Sequence, residues 1–230
     1  IDNGWNFARL LGEIAKIEGK FRTRFMTSHP KDFNKKIVDI ISQSKNICNN
    51  VHLPVQSGSN RILEMMNRKY TREHYLKLID YIKTIPTVGI TTDIMVGFPS
   101  ETEKDFEDTL SLVEEVRYSN AFMFVYSSRS GTKAAEMTQL DSSTKKNRIT
   151  KLVALQNKIS KQISAEYVGK TQEILVDDIN PKIKGALCGR TESGRLVNFY
   201  EEKSLIGEFV DIKINSAKSS SLWGDIYVKE

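Results

Sequence analysis

The feature that most constrains this chain is a regular alternation of helix-like and strand-like segments before residue 166. Apolar residues recur at helical spacing in Trp5–Glu18, whereas Ile90–Gly97 is short and rich in β-branched residues. Ser100 and Glu103 have the spacing of a capping box, which predicts a helix start at Ser100. The predicted strands are 21–27, one from 51, 90–97 and 121–127, and the helices are 5–18, 32–42, one after each of 59, 71 and 100, and 144–167. This pattern is typical of a parallel sheet or of part of a (β/α) barrel.

The strand that begins at Val51 ends in a polar turn, and a helix follows at once. Gln56, Ser57 and Ser59 offer donors and acceptors for a ribose or a phosphate, and Gly58 lets the backbone approach a ligand closely. Ligands of α/β folds bind at the carboxyl ends of strands. A structural interpretation is also open, in which Ser59 caps the helix and Ser57-Gly58 only makes the turn. Because the next two strands end in similar polar turns, we favour a binding site.

Two of the predicted strands carry a polar face. His52 and Gln56 share one face of their strand, and Thr91 and Asp93 share one face of theirs. Strands of a parallel sheet are usually apolar on both faces, and a buried carboxylate is costly unless it is paired or hydrated. These faces predict a barrel interior that holds a polar ligand. The alternative is a buried structural hydrogen-bond network.

After Gly169 the pattern changes to short alternating strands separated by turn residues such as Asn180-Pro181 and Ser193-Gly194. The predicted strands are 172–176, 184–188, 195–199, 208–214 and 222–228. Five short strands in so few residues predict a small closed β-barrel of OB-like size. The expected fold class is therefore α/β, with a partial (β/α) barrel at residues 1–165 followed by a small all-β barrel at residues 166–230.

Composition narrows the partners and the compartment. The net charge is +5, but residues 1–165 carry 25 basic and 18 acidic side chains, whereas residues 166–230 carry 9 and 11. This excess mildly favours a polyanionic partner. The two cysteines, Cys48 and Cys188, form no CxxC pair, so we expect neither a disulfide framework nor a cluster ligated by this chain. A cytoplasmic location follows, and no apolar run approaches the length of a membrane span.

Three ordered motifs connect these segments to a known family. They are His52–Ser59 (HLPVQSGS), Thr92–Pro99 (TDIMVGFP) followed by Glu101-Thr102, and Phe124–Thr132 (FVYSSRSGT). In sequence and order they resemble the carboxyl-terminal half of the radical S-adenosylmethionine (SAM) tRNA methylthiotransferases. Gly189-Arg190-Thr191 and Val197-Asn198-Phe199 resemble the TRAM domain of that family, a small RNA-binding barrel. Ser100 stands where the family usually has glycine.

The resemblance implies a radical SAM barrel followed by a TRAM domain. Family members use SAM and two 4Fe–4S clusters to methylthiolate C2 of N6-isopentenyladenosine next to the anticodon. The family's CxxxCxxC motif and its further amino-terminal cysteines do not occur in these 230 residues, so we expect this piece alone to be inactive. Among the matching positions, the implied SAM contacts are Gln56, Ser57 and Gly58, with Asp93 nearby and Arg129 facing the SAM carboxylate or the RNA.

The implied macromolecular partners are the anticodon stem-loop of tRNA and an electron donor such as flavodoxin or ferredoxin. In the TRAM domain, Arg190, Arg195 and Lys203 are candidate phosphate contacts, and Phe199 and Tyr200 are candidate stacking groups.

Two other functions stay open at this point. A sister enzyme that acts on threonylcarbamoyladenosine in tRNA has similar motifs, although Pro54-Val55 favours the isopentenyladenosine enzyme. A ribosomal-protein methylthiotransferase is expected to lack the Gln-Ser-Gly-Ser stretch. A non-catalytic RNA-binding module is the alternative of another class, because the cluster cysteines are absent from this sequence.

Overall fold

The computed structural model of the chain describes residues 4–26 and 29–228. Its α-helices are α1 (Phe7–Ala15), α2 (Lys35–Gln43), α3 (Asn60–Met65), α4 (Arg72–Ile82), α5 (Glu103–Val116) and α6 (Ser142–Ala165). Its strands are β1 (Asn50–His52), β2 (Gly89–Val96), β3 (Asn120–Val125), β4 (Thr171–Ile179), β5 (Ala186–Thr191), β6 (Leu196–Tyr200), β7 (Phe209–Ala217) and β8 (Ser221–Ile226). Short 3-10 helices occupy Pro30–Asp32, Lys133–Ala135 and Lys203–Leu205.

The first part of the chain forms a parallel sheet of order β1-β2-β3 with helices on one face. On that face, Thr92, Ile94 and Val96 of β2 are buried against the helices. The other face carries Asp93 and Met95, and Phe122 and Phe124 of β3 are 48% and 51% exposed there. The expected parallel sheet with a polar face is therefore present, and that face is open to solvent among the described residues.

The predicted strand 21–27 is reduced to a single bridge, in which Thr23 pairs with Ile47. Arg22 donates to the carbonyl of Arg190 and to that of Glu173, the latter at 2.9 Å, and Arg24 donates to the carbonyl of Thr191 at 3.3 Å. Arg22 and Arg24 therefore bind backbone carbonyls of β4 and β5, and the alternation of polar and apolar residues in this segment does not mark a regular strand. Its last residue, 27, lies outside the described residues.

The capping box predicted for the start of α5, Ser100 with Glu103, is wrong. Thr102 is the N-cap, and its partner is Asp105, whose side chain accepts from the backbone amide of Thr102. Ser100 instead has a φ of 62°, in the left-handed region that favours glycine. The predicted N-cap of α4, Thr71, is confirmed and accepts from the amide of His74.

The second part of the chain is a closed barrel of order β4-β5-β6-β8-β7, as expected for five short alternating strands. Its core consists of alternate apolar residues from every strand, namely Ile174, Val176, Leu187, Val197, Phe199, Ile212, Ile214 and Leu222. The barrel contacts the amino ends of the parallel strands, where Asn50 Nδ2 donates to the carbonyl of Ser193 at 3.2 Å. It therefore lies at the end of the sheet opposite to the carboxyl ends of β1–β3.

Candidate functional site

A cavity of about 650 Å³ opens at the carboxyl ends of the parallel strands. Gln56, Asp93 and Arg129, which come from three separate turns or strands, all line it. Its apolar lining includes Met65, Met66, Met95, Phe98 and Phe124. A mostly apolar wall with a few convergent polar groups is typical of a small-molecule site, and the volume is that of a site for a ligand of nucleoside size.

Gln56 has a constrained backbone position in this cavity. Its backbone amide donates to the backbone carbonyl of Asp93 at 2.9 Å, and its backbone carbonyl accepts from the backbone amide of Met95 at 2.9 Å. Its φ is 68°, a left-handed conformation that costs a residue with a side chain of order 1 kcal/mol. These two backbone hydrogen bonds to β2 stabilise the strained conformation, which is a feature that clusters at functional sites.

Ser57 and Gly58, which the resemblance implied as SAM contacts, do not line the cavity. The Ser57 hydroxyl lies 3.4 Å from Thr109 Oγ1 of α5, and the Gly58 amide donates to the same oxygen at 3.0 Å. A Cβ added at Gly58 would lie 2.6 Å from the Cα of Thr109. These two residues are therefore buried against α5, and the structural interpretation of the turn applies to them.

Ser59 is the N-cap of α3 and also belongs to a charged network that connects α3 with α5. Its hydroxyl donates to Asp105 Oδ1 at 2.6 Å, Thr102 Oγ1 donates to Asp105 Oδ2 at 2.6 Å, and the Arg61 guanidinium forms an ion pair with the same carboxylate. Burial alone would raise the pKa of Asp105, but these donors outweigh it and hold the pKa well below its usual range. The ionised carboxylate fixes the turn that carries Gln56.

The turn after β2 is stabilised by the Glu101 carboxylate, a structural role that the sequence did not predict. Glu101 Oε2 accepts from the amides of Gly97 and Phe98 at 2.8 and 3.3 Å, and Arg148 of α6 donates to Oε1 at 2.8 Å. Glu101 and Arg148 are both buried, and burial raises the pKa of Glu101 against the opposing effect of Arg148. This pair positions Phe98 in the cavity wall, where its ring meets that of Tyr126 edge-on at 5.3 Å.

The polar faces predicted for β1 and β2 meet on the open face of the sheet. His52 Nε2 lies 3.6 Å from Asp93 Oδ1, and His52 Nδ1 lies 2.9 Å from Thr91 Oγ1. His52 is buried, whereas the Asp93 side chain is 29% exposed and lines the cavity. Both interpretations of these faces therefore apply, since His52 belongs to a hydrogen-bond network and Asp93 faces a cavity.

Three basic side chains lie around the cavity, namely Arg68, Arg129 and Lys133. Only Arg129 was predicted from the sequence. Arg68 follows α3 and Lys133 begins a 3-10 helix, so neither lies at the end of a strand, where ligands of α/β folds bind. Together they make the cavity suited to a ligand with a negatively charged group.

The described residues do not fit an iron–sulfur cluster. Cys48 is buried and Cys188 lies on β5, and among residues 4–26 and 29–228 no group of three or more histidine, cysteine, aspartate and glutamate side chains is arranged to hold a metal ion. None of the helices within residues 4–26 and 29–228 is both long enough and apolar enough to cross a bilayer.

The candidate RNA-binding residues divide into exposed and buried ones. Arg190 is about half exposed, with its Nε 3.7 Å from Asp177, and Lys203 is exposed at the start of its 3-10 helix. Arg195 is buried, its Nη1 donates to the carbonyl of Ser219 at 3.2 Å, and burial lowers its pKa. Phe199 is fully buried in the barrel core, so it offers no face for stacking with a base.

Comparison with known proteins agrees with this two-part organisation. A model of the radical SAM superfamily matches residues 2–113, and a model of the TRAM domain matches residues 165–227. The first part of the chain thus resembles radical SAM proteins, and the second part resembles TRAM domains. Gln56 and Asp93 of the cavity lie in the first matched segment, whereas Arg129 follows it, and the closed barrel lies in the second matched segment.

Several curated relatives of this chain share the same name. This chain is 49% identical over 229 residues to the tRNA-2-methylthio-N(6)-dimethylallyladenosine synthase of Natranaerobius thermophilus, and the match covers 99% of this chain and 51% of that protein. It is 50% identical over 221 residues to the synthase of the same name from Clostridium botulinum, which covers 95% of this chain and 49% of that protein. The chain thus spans about half the length of the curated relatives that it matches.

Proposed function

We propose that this chain is part of an enzyme that methylthiolates C2 of N6-isopentenyladenosine next to the anticodon of tRNA. The observation that carries the proposal is the shared cavity of Gln56, Asp93 and Arg129, in a chain about half identical to synthases named for this modified nucleoside. A cytoplasmic location and an electron donor such as flavodoxin or ferredoxin belong to the same proposal.

We further propose that the cavity binds SAM. Gln56 and Asp93 supply polar groups for the nucleoside, and Arg129 supplies a cation for the carboxylate. Met65, Met95 and Phe98 supply an apolar wall against which the ligand packs. When bound, SAM supplies the radical chemistry in this family, and the residues of this chain orient and shield it.

The cofactors also include two 4Fe–4S clusters, whose ligands we assign to residues of the full-length gene product outside this sequence. Support comes from the synthases that this chain resembles, of whose length it spans only about half. We assign no residue of this chain a role in holding the clusters.

The division into residues 1–165 and 166–230 remains a prediction. Its support is that α6 ends at Ala165 and the first strand of the closed barrel begins at Thr171. We propose that the second of these domains contacts the anticodon stem-loop, with Arg190 and Lys203 as exposed phosphate contacts.

Nucleoside analysis of tRNA from a strain lacking the gene tests this function. We expect the 2-methylthio derivative of N6-isopentenyladenosine to disappear, and N6-isopentenyladenosine without the methylthio group to accumulate. Expression of the wild-type gene should restore the derivative, and expression of the Gln56→Ala variant should restore less of it. Loss of methylthiolated threonylcarbamoyladenosine instead would favour the sister enzyme, and unchanged tRNA nucleosides would favour a non-catalytic RNA-binding module.

A further inference from the structure

Two aromatic side chains lie side by side on the outer surface of the closed barrel. Tyr200 at the end of β6 and Trp223 on β8 have ring centroids 5.5 Å apart, with 44° between the ring planes. The two strands are parallel neighbours, with Asn198 opposite Trp223 in the register. Tyr200 is 62% exposed and Trp223 is half-buried. We call this pair the aromatic platform.

The backbone beneath the aromatic platform is held by a buried amide. Asn198 Oδ1 accepts from Asn180 Nδ2 at 2.6 Å, and Asn198 Nδ2 donates to the carbonyl of Leu222 at 3.3 Å. These bonds tie β6 to β8 and to the connection between β4 and β5. The neighbouring residue Phe199 points into the barrel core. The platform is therefore preorganised, which lowers the entropic cost of binding a ligand on it.

Lysine side chains lie close to the platform along the chain and across the sheet. Lys182 and Lys184 are exposed in the connection that leads into β5, where Ala186 pairs with Tyr200. Lys203 is exposed three residues after Tyr200. None of the three lysines makes a salt bridge with a carboxylate in the part of the chain that the structure describes.

We propose that the aromatic platform stacks with an unpaired base of an RNA strand, and that the nearby lysines contact its flanking phosphates. The inference rests on the proposed function for the identity of RNA as the partner. Aromatic side chains beside cations on a β-barrel are how proteins bind single strands of nucleic acid without base-specific hydrogen bonds. The exposed Tyr200 takes over the stacking role that the buried Phe199 cannot serve.

The salt dependence of binding follows from the charges around the platform. Glu201 and Glu202 are exposed between Tyr200 and Lys203, so the surface carries both signs of charge. With at most the three lysines and Arg190 neutralising phosphates, the slope of log K against log salt should be no steeper than about −3 for a single strand. Stacking, which salt does not screen, therefore provides most of the affinity.

Tryptophan fluorescence tests the proposal directly, because the chain contains only Trp5 and Trp223. The Trp5→Phe variant leaves Trp223 as the single tryptophan, and a single-stranded oligouridylate of about ten nucleotides serves as the probe. We expect saturable quenching of Trp223, and no quenching by an RNA duplex of the same length whose bases are already stacked. The assay uses the whole chain and requires neither SAM nor a cluster.

Variants at Tyr200 separate stacking from a merely structural contact. Tyr200→Phe should bind within about twofold of the parent, whereas Tyr200→Ala and Tyr200→Leu should bind about 5- to 150-fold more weakly, the range for loss of one stacked base. Tyr227→Ala, which removes another exposed tyrosine of the same barrel, is the matched control and should leave binding unchanged. Thermal melting of each variant checks that the barrel is folded.

Absence of quenching with the folded parent, or equal affinities for Tyr200→Ala and Tyr227→Ala, would overturn the platform. Failure of the proposed function is a separate result, because it appears in the tRNA nucleosides while this binding assay is unaffected. Quenching that is lost in Tyr200→Leu but retained in Tyr200→Phe would establish that the aromatic ring, and not its apolar volume, binds the RNA.

Discussion

Replacement of Asp105 by asparagine tests how the turn that carries Gln56 is held. Asp105 accepts from Ser59 Oγ and Thr102 Oγ1, both at 2.6 Å, and forms an ion pair with Arg61, while its own side chain is 7% exposed. Asparagine removes the negative charge and places a side-chain NH₂ group, itself a donor, against the donors of Ser59, Thr102 or Arg61. Loss of one partner of a buried, hydrogen-bonded ion pair costs about 3 kcal/mol. For a chain of this size, that corresponds to a fall in melting temperature of about 6–12 °C.

Asp108→Asn is the matched control for this variant. Asp108 lies one turn further along α5, and its carboxylate pairs with the exposed Lys104 at 2.7 Å. Exposed pairs of this kind contribute at most about 0.5 kcal/mol. Urea unfolding of the wild type and the two variants measures both free energies, and equal destabilisation by Asp105→Asn and Asp108→Asn would refute the reasoning.

The pH dependence gives a second check on Asp105. Because its pKa is lower in the folded than in the unfolded chain, its contribution is fully present above the unfolded value of about 3.9 and is lost as the pH falls toward the folded value. The difference in unfolding free energy between the wild type and Asp105→Asn should therefore shrink below about pH 4. A difference that stays constant from pH 7 to pH 3 would contradict the assigned role.

Further predictions concern the backbone and the barrel core. Gly58→Ala should prevent close packing of the turn on α5 and destabilise the chain by more than about 3 kcal/mol, measured by urea unfolding, because the new Cβ meets backbone atoms. Ser100→Gly should raise the stability by about 1 kcal/mol, since Ser100 has a φ of 62°, and an unchanged melting temperature would disprove this. Phe199→Ala should cost about 3–5 kcal/mol in thermal melting, whereas Tyr200→Ala should cost less than half of that.

The spacing of apolar residues and the identity of turn residues were sufficient to predict most of the fold. The parallel strands β2 and β3, the N-cap Thr71 and the five strands of the closed barrel follow from residues whose neighbours in sequence determine their structure. The segment around Thr23 did not, because Arg22 and Arg24 bind carbonyls more than 150 residues away, and no local pattern records such partners.

The candidate site was only partly predictable for a related reason. Gln56 and Arg129 follow strands and Asp93 lies within β2, and the alternation of strands and helices indicates that such positions share one edge and one face of the sheet. Ser57 and Gly58 stand at the same edge but face α5, and the motif alone does not distinguish the two directions. The basic side chain Lys133 comes from a 3-10 helix after β3, and only the folded chain brings it to the cavity.

Calorimetric titration of SAM into the full-length gene product tests the central claim most directly. The account predicts that Gln56→Ala binds SAM about tenfold more weakly than the wild type, as expected for loss of one or two hydrogen bonds. Gln172→Ala, on the strand β4 of the closed barrel, should bind as the wild type does. Equal SAM affinity for the wild type and Gln56→Ala would contradict the assignment of the cavity as the SAM site.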